Sequence, residues 1–465
     1  MNGRGLDRWT VGIIVLAILG MAIRLGNALR YPIDMGYDAA FHWQYIALLM
    51  RGFTVPAPDA GWAMAHPPLF YWLGAGLGEL LGEPPRAITI GAVRVVSSVV
   101  GLLAIASAVA LVRRADPGNP PRAFIAAGLL VFLPVHVYMS AMLSEEILCA
   151  SLISIAVVGM AWDTVGPESP SRSEPGSETG SESRSARRLA LLGALAGLAL
   201  LTKLTGVLVL LAAVLVLLVE AARSGSWRSA LVPVLWLGGA GALVGGWFYV
   251  RNLIGYGYLY PYGLEAHAIM FTMPPGHREL ADYVRFPLAT FTDPQLLSPD
   301  LLRSVWGSTY VTIWFDGHRH FLPQSGAALS RVGTAMLVLG LVPTAAFAVG
   351  LAAGARRVWR SSRGPDAILV FLVALTLAGY VAFSWRNPWF AVLKGSFLLG
   401  LAVPFAYYGS EALARWTSSV RVVRAVAVWS ALAVLAAFST ATFSYGLVFS
   451  KSEPPGIEWT PVEGR

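Results

Sequence analysis

Apolar runs of about twenty residues recur along the whole chain, and they constrain its fold more than any other feature. A run of that length crosses the hydrocarbon core of a bilayer as an α-helix. The runs are continuously apolar, whereas the strands of a membrane β-barrel alternate apolar and polar residues. Of the 465 residues, 56% are hydrophobic and only 13% are charged, against about 25% charged in a soluble protein. The sequence therefore predicts an all-α polytopic membrane protein.

We predict about 11 transmembrane helices in a single domain, residues 1–450, followed by a tail, residues 451–465. The fifth span is short, so it and the sixth are expected to form a hairpin broken at Thr202–Gly206. The predicted spans cover residues 10–29, 87–112, 122–140, 144–163, 189–202, 205–222, 229–252, 331–353, 366–385, 394–413 and 424–447, with ends good to about two to four residues.

The arginines predict the orientation of these helices in the membrane. Most of them fall in short loops on one side, which the positive-inside rule assigns to the cytoplasm. The N-terminus is then inside, the C-terminus is outside, and the chain is expected in the inner or plasma membrane. The same pattern explains the net charge of +8 without a nucleic-acid partner. The arginines of this side are Arg4, Arg8, Arg113, Arg114, Arg122, Arg172, Arg184, Arg187, Arg188, Arg223, Arg228, Arg356, Arg357, Arg360, Arg363, Arg415, Arg421 and Arg424.

Three long loops separate the predicted spans. The first outer loop, residues 30–86, contains two helix-like stretches, Tyr37–Met50 and Pro67–Leu81, and the second stretch is apolar enough to lie in the membrane interface. A large outer loop, residues 254–330, is rich in aromatic residues, Pro and Gly, and is expected to form a lid or platform. A cytoplasmic loop, residues 164–188, is rich in Ser, Glu, Pro and Gly and is expected to be disordered.

Acids and histidines concentrate in the first outer loop, where they must face water, a partner or a substrate. Asp38 begins the first helix-like stretch, so it is either an N-cap, a general base at the membrane surface, or both. Asp34 is the competing candidate. His42 follows Asp38 on the same stretch, and His66 precedes two prolines; both are candidates to bind a substrate or phosphate, while His66 also fits a solvated loop histidine.

Two adjacent acids, Glu145 and Glu146, occupy a short outer turn between the third and fourth predicted spans. Adjacent carboxylates repel each other unless a cation or basic partner offsets them. They are expected to contact the first loop and orient a substrate, or to share a divalent metal with Asp38, because hard cations prefer carboxylates. The alternative is that both acids are simply solvated. The sequence indicates no other cofactor.

Four cations lie at helix ends on the outer side, against the positive-inside trend: Lys203, Arg251, Arg386 and Lys394. An anionic lipid phosphate is one reason for cations at this level of a membrane. The alternative is that their long side chains reach lipid headgroups, which costs little.

Taken together, these motifs resemble those of the GT-C superfamily, integral-membrane glycosyltransferases that use polyprenyl-phosphate-linked sugars. The similarity is greatest to relatives of protein O-mannosyltransferases and lipid A aminoarabinose transferases. It extends over the first ten predicted helices and rests on the order and sidedness of several motifs. These are Tyr37–His42, His66–Trp72, Ser144–Glu146, Thr202–Gly206, Trp247–Asn252 with Tyr256 and Gly257, and Val392–Leu399.

The resemblance implies an inverting glycosyltransferase that moves a sugar from a polyprenyl-phosphate donor to an acceptor hydroxyl of a lipid, glycan or protein at the outer face. Asp38 matches the Asp of the family's Asp-Glu pair and is implied to be the catalytic base. Ala39 stands where the family has Glu. Two alternatives are a transporter or flippase of lipid-linked sugars, which would more often show repeated halves and mid-membrane charges, and a non-catalytic protein of envelope assembly.

Overall fold

A computed structural model describes residues 7–162, 178–261, 263–323, 326–361, 364–418 and 422–450. These residues are mostly helical and contain no β-strand. In the first half of the chain the helices are α1 (Arg8–Arg30), α2 (Ala39–Met50), α3 (Leu69–Leu80), α4 (Arg86–Ala115), α5 (Pro120–Val131), α6 (Pro134–Met139), α7 (Glu146–Ala161), α8 (Glu178–Thr202) and α9 (Val207–Ser224).

The second half continues with α10 (Arg228–Gly241), α11 (Trp247–Tyr256), α12 (Ala289–Thr292), α13 (Pro299–Leu302), α14 (Val305–Trp314), α15 (Ala327–Arg360), α16 (Pro365–Arg386), α17 (Ala402–Thr417) and α18 (Val422–Phe443). A π-helical turn, Ala242–Gly246, joins α10 to α11, and short 3₁₀ turns lie at Leu204–Gly206, Glu265–Thr272, Leu280–Tyr283, Phe390–Val392 and Gly395–Leu401.

Eight helical segments within the described residues are long and apolar enough to cross a membrane, so the chain is a multi-pass membrane protein. The predicted count of about eleven is not confirmed. The third and fourth predicted spans are the shorter apolar helices α5 and α7. The fifth is part of α8, which ends at Thr202 before the 3₁₀ turn, as the sequence indicated.

The third predicted span is interrupted because Pro134 cannot continue the helical hydrogen bonding of α5. α5 ends at Val131 and α6 begins at Pro134. The guanidinium of Arg24, fully buried in α1, donates to the freed carbonyls of Leu130 and Val131 at 3.2 Å and lies 2.9 Å from Nδ1 of His136. An arginine inside the first span thus satisfies the backbone at a helix break.

The first outer loop forms a small helical layer at the end of the bundle. Its two predicted helix-like stretches are α2 and α3, which contact each other, while α3 also contacts α4. They share a buried apolar cluster that includes Tyr45, Ile46 and Tyr71. Arg94 of α4 donates to the carbonyls of Tyr31 at 2.7 Å and Pro32 at 2.9 Å. These bonds fix the chain just before it reaches Asp38.

The second outer loop is partly core. α14 is almost wholly buried and contacts α6, α15 and the 3₁₀ turn Gly395–Leu401. The expected lid or platform therefore does not describe this part of the loop, because α14 is apolar enough to be packed among the spanning helices.

The predicted disordered loop, residues 164–188, lies partly outside the described residues, as does the whole tail, 451–465. From Glu178 onward the loop is helical, since α8 begins there, so the prediction of disorder is wrong for this stretch. The physical reason is that the apolar part of α8 is packed and helix growth from an existing helix is far cheaper than nucleation.

Candidate functional site

Asp38 lies at the start of α2 in an unusual backbone conformation. Its φ and ψ of 53° and 20° are left-handed, and its side chain makes no capping hydrogen bond to α2. An L-residue with a positive φ is strained, and Asp is among the few that tolerate it. The expected side-chain cap is therefore wrong, and the carboxylate, whose side chain is 37% exposed, is turned to other neighbours.

The nearest cation to this carboxylate is Lys394. Its ammonium lies 3.6 Å from Oδ2 of Asp38, an ion pair longer than a hydrogen bond, and 4.4 Å from the ring centroid of Tyr37. Burial acts to raise the pKa of the Asp38 carboxyl, but Lys394 and the nearby histidines outweigh it and hold the pKa below its ordinary value. The carboxylate is thus ionised and only loosely engaged.

The turn that contains Glu145 and Glu146, called the acidic turn below, meets the break between α8 and α9 and forms a second centre there. The Lys203 ammonium lies 2.6 Å from Oε1 of Glu146 and 3.1 Å from Oε1 of Glu145. Both acids are buried. Burial would raise the pKa of Glu145, but Lys203, His66 and His42 hold it well below its ordinary value. The alternative of two solvated acids is wrong, because the chain supplies their counter-ion.

The acidic turn also contacts the first outer loop. Nδ1 of His66 is 3.2 Å from Oε1 of Glu145, and Nε2 of His42 is 3.6 Å from Oε2. The other nitrogen of His42 lies 2.8 Å from the hydroxyl of Tyr71. Burial lowers the pKa of His42 to about 4, so this imidazole is neutral at pH 7. Both histidines of the first loop therefore face Glu145.

One aromatic ring connects the two centres. The centroid of Phe397, in the 3₁₀ turn Gly395–Leu401, lies 4.7 Å from the Lys203 ammonium and 6.0 Å from the Lys394 ammonium. The two ammoniums can be no farther apart than the sum of these distances. Next to the ring, Ser396 donates to Oε1 of Glu146 at 3.2 Å. Lys203 and Lys394 therefore lie near the same ring, and their convergence on one phosphate stays a prediction.

Two histidines that the sequence analysis did not single out lie beside Asp38. The rings of His318 and His320 lie 5.3 Å and 4.5 Å from the ring of Tyr37, and His320 acts on the pKa of Asp38. The buried Asp316 holds their turn by accepting from the amides of Phe321 and Leu322 at 2.7 Å and 2.8 Å. The sequence held one signal that could have pointed to them, since two of its seven histidines lie within three residues.

The other predicted residues have separate contacts. Arg251 donates to the carbonyls of Val55 and Pro56, both at 2.9 Å, and so fastens the first loop to α11. Asp34, 66% exposed, pairs with Arg86 at 2.6 Å. Arg386 is exposed at the end of α16. The expected convergence of Arg251 on the same phosphate is not supported by these contacts.

A divalent metal shared by Asp38, Glu145 and Glu146 does not fit the residues present. Ala39 is buried among apolar side chains and supplies no ligand, and one oxygen of Glu145 and one of Glu146 already bind the Lys203 ammonium. Across the described parts of the chain, no group of three His, Cys, Asp or Glu residues is arranged to hold a metal.

Several solved membrane proteins share this arrangement of helices. The chain is similar to the oligosaccharyltransferase of Archaeoglobus fulgidus in its apo form, with TM-score 0.50, 16% identity and coverage of 94% of this chain and 56% of that one. It is similar to AglB of that organism in complex with an inhibitory peptide and a dolichol-phosphate, with TM-score 0.51, 15% identity and coverage of 94% and 56%. The chain thus spans about half the length of these oligosaccharyltransferases.

A third similar structure is ArnT from Cupriavidus metallidurans bound to undecaprenyl phosphate, with TM-score 0.51, 14% identity and coverage of 94% of this chain and 76% of that one. The sequence matches no protein-family model and no curated protein sequence. At these identities the likeness shows the fold. That fold is the one these oligosaccharyltransferase and ArnT structures share, and it agrees with the fold that the resemblance to the GT-C superfamily implied.

Proposed function

We propose that this chain is an inverting glycosyltransferase that moves a sugar from a polyprenyl phosphate to an acceptor hydroxyl. The observation that carries the proposal is the pairing of a partly exposed, strained carboxylate, Asp38, with a loosely bound ammonium, Lys394, 3.6 Å away. The fold supports it, because two of the similar structures contain a dolichol-phosphate and an undecaprenyl phosphate.

Asp38 is the general base of the proposed reaction. Its carboxylate takes the proton of the acceptor hydroxyl while that oxygen attacks the anomeric carbon of the donor. The bond from the anomeric carbon to the phosphate oxygen breaks, and the phosphate leaves with the electron pair. Because the new bond forms on the face opposite to the old one, the configuration at the anomeric carbon inverts.

Lys394 stabilises the leaving phosphate in this scheme. It is a better candidate than Lys203, because Lys203 is already held by two carboxylates within hydrogen-bond distance. A phosphate that draws the Lys394 ammonium away from Asp38 also removes the main cause of the lowered Asp38 pKa. Donor binding therefore makes Asp38 a stronger base at the moment when the acceptor needs one.

The direct test uses purified protein with labelled polyprenyl-phosphate sugars, and measures release of polyprenyl phosphate and the configuration of the product. The wild type is expected to release polyprenyl phosphate with at least one hexosyl or pentosyl donor. Asp34→Asn is the matched control for Asp38→Asn, because Asp34 lies in the same loop and pairs with Arg86. No release with any donor would remove the proposal.

We further propose that the reaction occurs at the extracytoplasmic face, where the arginine distribution would put Asp38. A single cysteine introduced at the exposed Asp300 tests this orientation, since the native Cys149 is buried. An impermeant thiol reagent should label Asp300→Cys in intact cells. Labelling only after lysis would move the site to the cytoplasmic face.

A transporter of lipid-linked sugars is favoured by charge buried within a spanning helix, as at Arg24. Its partners, however, are the carbonyls at the break between α5 and α6 and the ring of His136. This arrangement explains Arg24 as part of the fold, so the enzyme remains the function that the described contacts support best.

A further inference from the structure

The acidic turn gathers chemical groups that commonly bind metals, but their common centre is filled by a side chain of the protein itself. Glu145, Glu146 and His66 surround the Lys203 ammonium or share its carboxylate partners. A pair of adjacent buried carboxylates requires a positive partner, and here that partner is covalently part of the chain.

The Lys203 ammonium is hydrogen-bonded directly to both acids. Its Nζ lies 2.6 Å from Oε1 of Glu146 and 3.1 Å from Oε1 of Glu145, distances typical of charge-assisted N–H···O bonds. Oε1 of Glu146 also accepts a hydrogen bond from Ser396 at 3.2 Å. This oxygen therefore has two hydrogen-bond donors from the protein itself.

The backbone holds Lys203 in this position. The residue is extended, with φ and ψ of −158° and 145°, between the end of α8 and the 3₁₀ turn, and its amide donates to the carbonyl of Ala199 at 2.9 Å. The Phe397 ring covers the ammonium at 4.7 Å. Burial acts to lower the pKa of Lys203, but Glu145 and Glu146 outweigh it and raise the pKa, so the charge persists at physiological pH.

We propose that the Lys203 ammonium is the built-in cation of the acidic turn. It takes the position beside Glu145 and Glu146 that a divalent metal would need, so the chain neither binds nor requires a metal there. The statement about binding stands on the contacts alone, whereas the statement about requirement rests on the proposed transferase function. Ala39 is buried and has no side-chain atom that could bind a metal, which is consistent with a site that holds no metal.

Binding of Mn²⁺ to metal-stripped protein tests the proposal without any substrate. Free Mn²⁺ is counted by its electron paramagnetic resonance signal for the wild type, Lys203→Met and Lys203→Arg. Removing the ammonium leaves two uncompensated buried carboxylates, so Lys203→Met should gain one saturable site, at least about 100-fold tighter than in the wild type. Lys203→Arg keeps the cation and should resemble the wild type. Lys394→Met controls for loss of a neighbouring positive charge and should gain no such site.

If Lys203→Met is too unstable for the binding measurement, its unfolding temperature with and without Mn²⁺ provides a second test. Mn²⁺ should raise the unfolding temperature of Lys203→Met and leave that of the wild type unchanged. A Lys203→Met protein that Mn²⁺ neither binds nor stabilises would overturn the proposal. So would a wild type with a saturable Mn²⁺ site that Glu145→Gln abolishes.

The requirement for metal is measured separately, in the transfer assay with a chelator. Wild-type transfer should be unchanged after chelation, and a loss that Mn²⁺ restores would contradict the proposal. An absence of transfer under all conditions would remove the proposed function only, because the binding measurements involve no donor or acceptor.

Discussion

Two groups of charged residues lie at opposite ends of α16, and they differ in how completely their charges are satisfied. At the start of α16, Arg357 binds both oxygens of Asp366, at 2.7 Å and 2.8 Å, and both oxygens of Glu411, at 2.9 Å and 3.0 Å. Beyond its other end, Asp38 pairs with Lys394 at 3.6 Å, and Oε2 of Glu145 is buried without a hydrogen-bond partner.

The difference separates a structural cluster from the cluster that we propose to be reactive. The Arg357 cluster joins α15, α16 and α17, with Arg415 and Arg122 as further partners of Glu411, and all four oxygens of its two carboxylates accept hydrogen bonds. The Asp38 side keeps a strained backbone, a long ion pair and an unpartnered carboxylate oxygen. Such incompletely satisfied groups persist only when the surrounding structure holds them, and they concentrate at functional sites.

Replacing the carboxylate at the reactive end should have the largest effect. Asp38→Asn is expected to reduce transfer by roughly 100-fold to 10,000-fold, since a general base is lost. It should change the free energy of unfolding by less than about 1 kcal/mol, because the side chain caps nothing and its ion pair is partly exposed. Initial rates and unfolding midpoints, measured beside Asp34→Asn, check both parts. Near-normal turnover would put the base elsewhere, with Asp34 and Glu145 as the next candidates.

Removing the ammonium at the same end should have the next largest effect. Lys394→Met is expected to weaken donor use by about 1.5–3 kcal/mol, the scale of a hydrogen bond to a charged group. Lys394 lowers the Asp38 pKa, and its loss raises that pKa. The acidic limb of the kcat/KM profile should therefore move to higher pH, because Asp38 must be deprotonated to act. If the acidic limb did not move, Lys394 would not influence the pKa of the catalytic base.

The saturated end should respond in stability instead of rate. Arg357→Met leaves Asp366 and Glu411 without their main partner, and is expected to reduce the free energy of unfolding by about 1.5–3 kcal/mol. Transfer per folded molecule should stay within roughly two-fold of the wild type, because a substitution this far from the chemistry affects it only through the fold. Activity normalised to the folded fraction checks this. A large loss of rate in folded protein would break the contrast between the two ends.

Arg251 provides the smallest expected effect. Its bonds to the carbonyls of Val55 and Pro56 can be made in part by a lysine. Arg251→Lys should therefore reduce stability by about 0.5–1.5 kcal/mol, the net value of one hydrogen bond, with little change in the KM for the donor. A selective rise in that KM would return Arg251 to the phosphate site that the sequence suggested.

Much of the fold could be predicted from the sequence, because a long, continuously apolar segment in a bilayer must be helical to satisfy its backbone hydrogen bonds. The two helices of the first outer loop were predicted almost to their ends. The count of about eleven spans stays a prediction, because eight helical segments of the described residues are long and apolar enough to cross a membrane. The sequence did not show that Pro134 divides the third predicted run into α5 and α6, with Arg24 donating to the carbonyls at the break.

The candidate site was predicted in part. The acids and lysines were found because charge is conspicuous in an apolar chain. Their arrangement was not, because it depends on where the 3₁₀ turn Gly395–Leu401 places Phe397, which lies near both lysines. His318 and His320 were missed because their turn is positioned by hydrogen bonds to Asp316, which leave no pattern in the sequence.

The left-handed backbone at Asp38 also limits how this position can change over generations. Gly, Asn and Asp are the residues that adopt this conformation most readily, and the codons of Gly and Asn each differ from an Asp codon at a single base. Point mutation therefore leads most easily to a protein that still folds and inserts but has no carboxylate. Among these three residues Asp alone supplies one, so under the proposed function such a mutation would remove the general base without disturbing the backbone at this position.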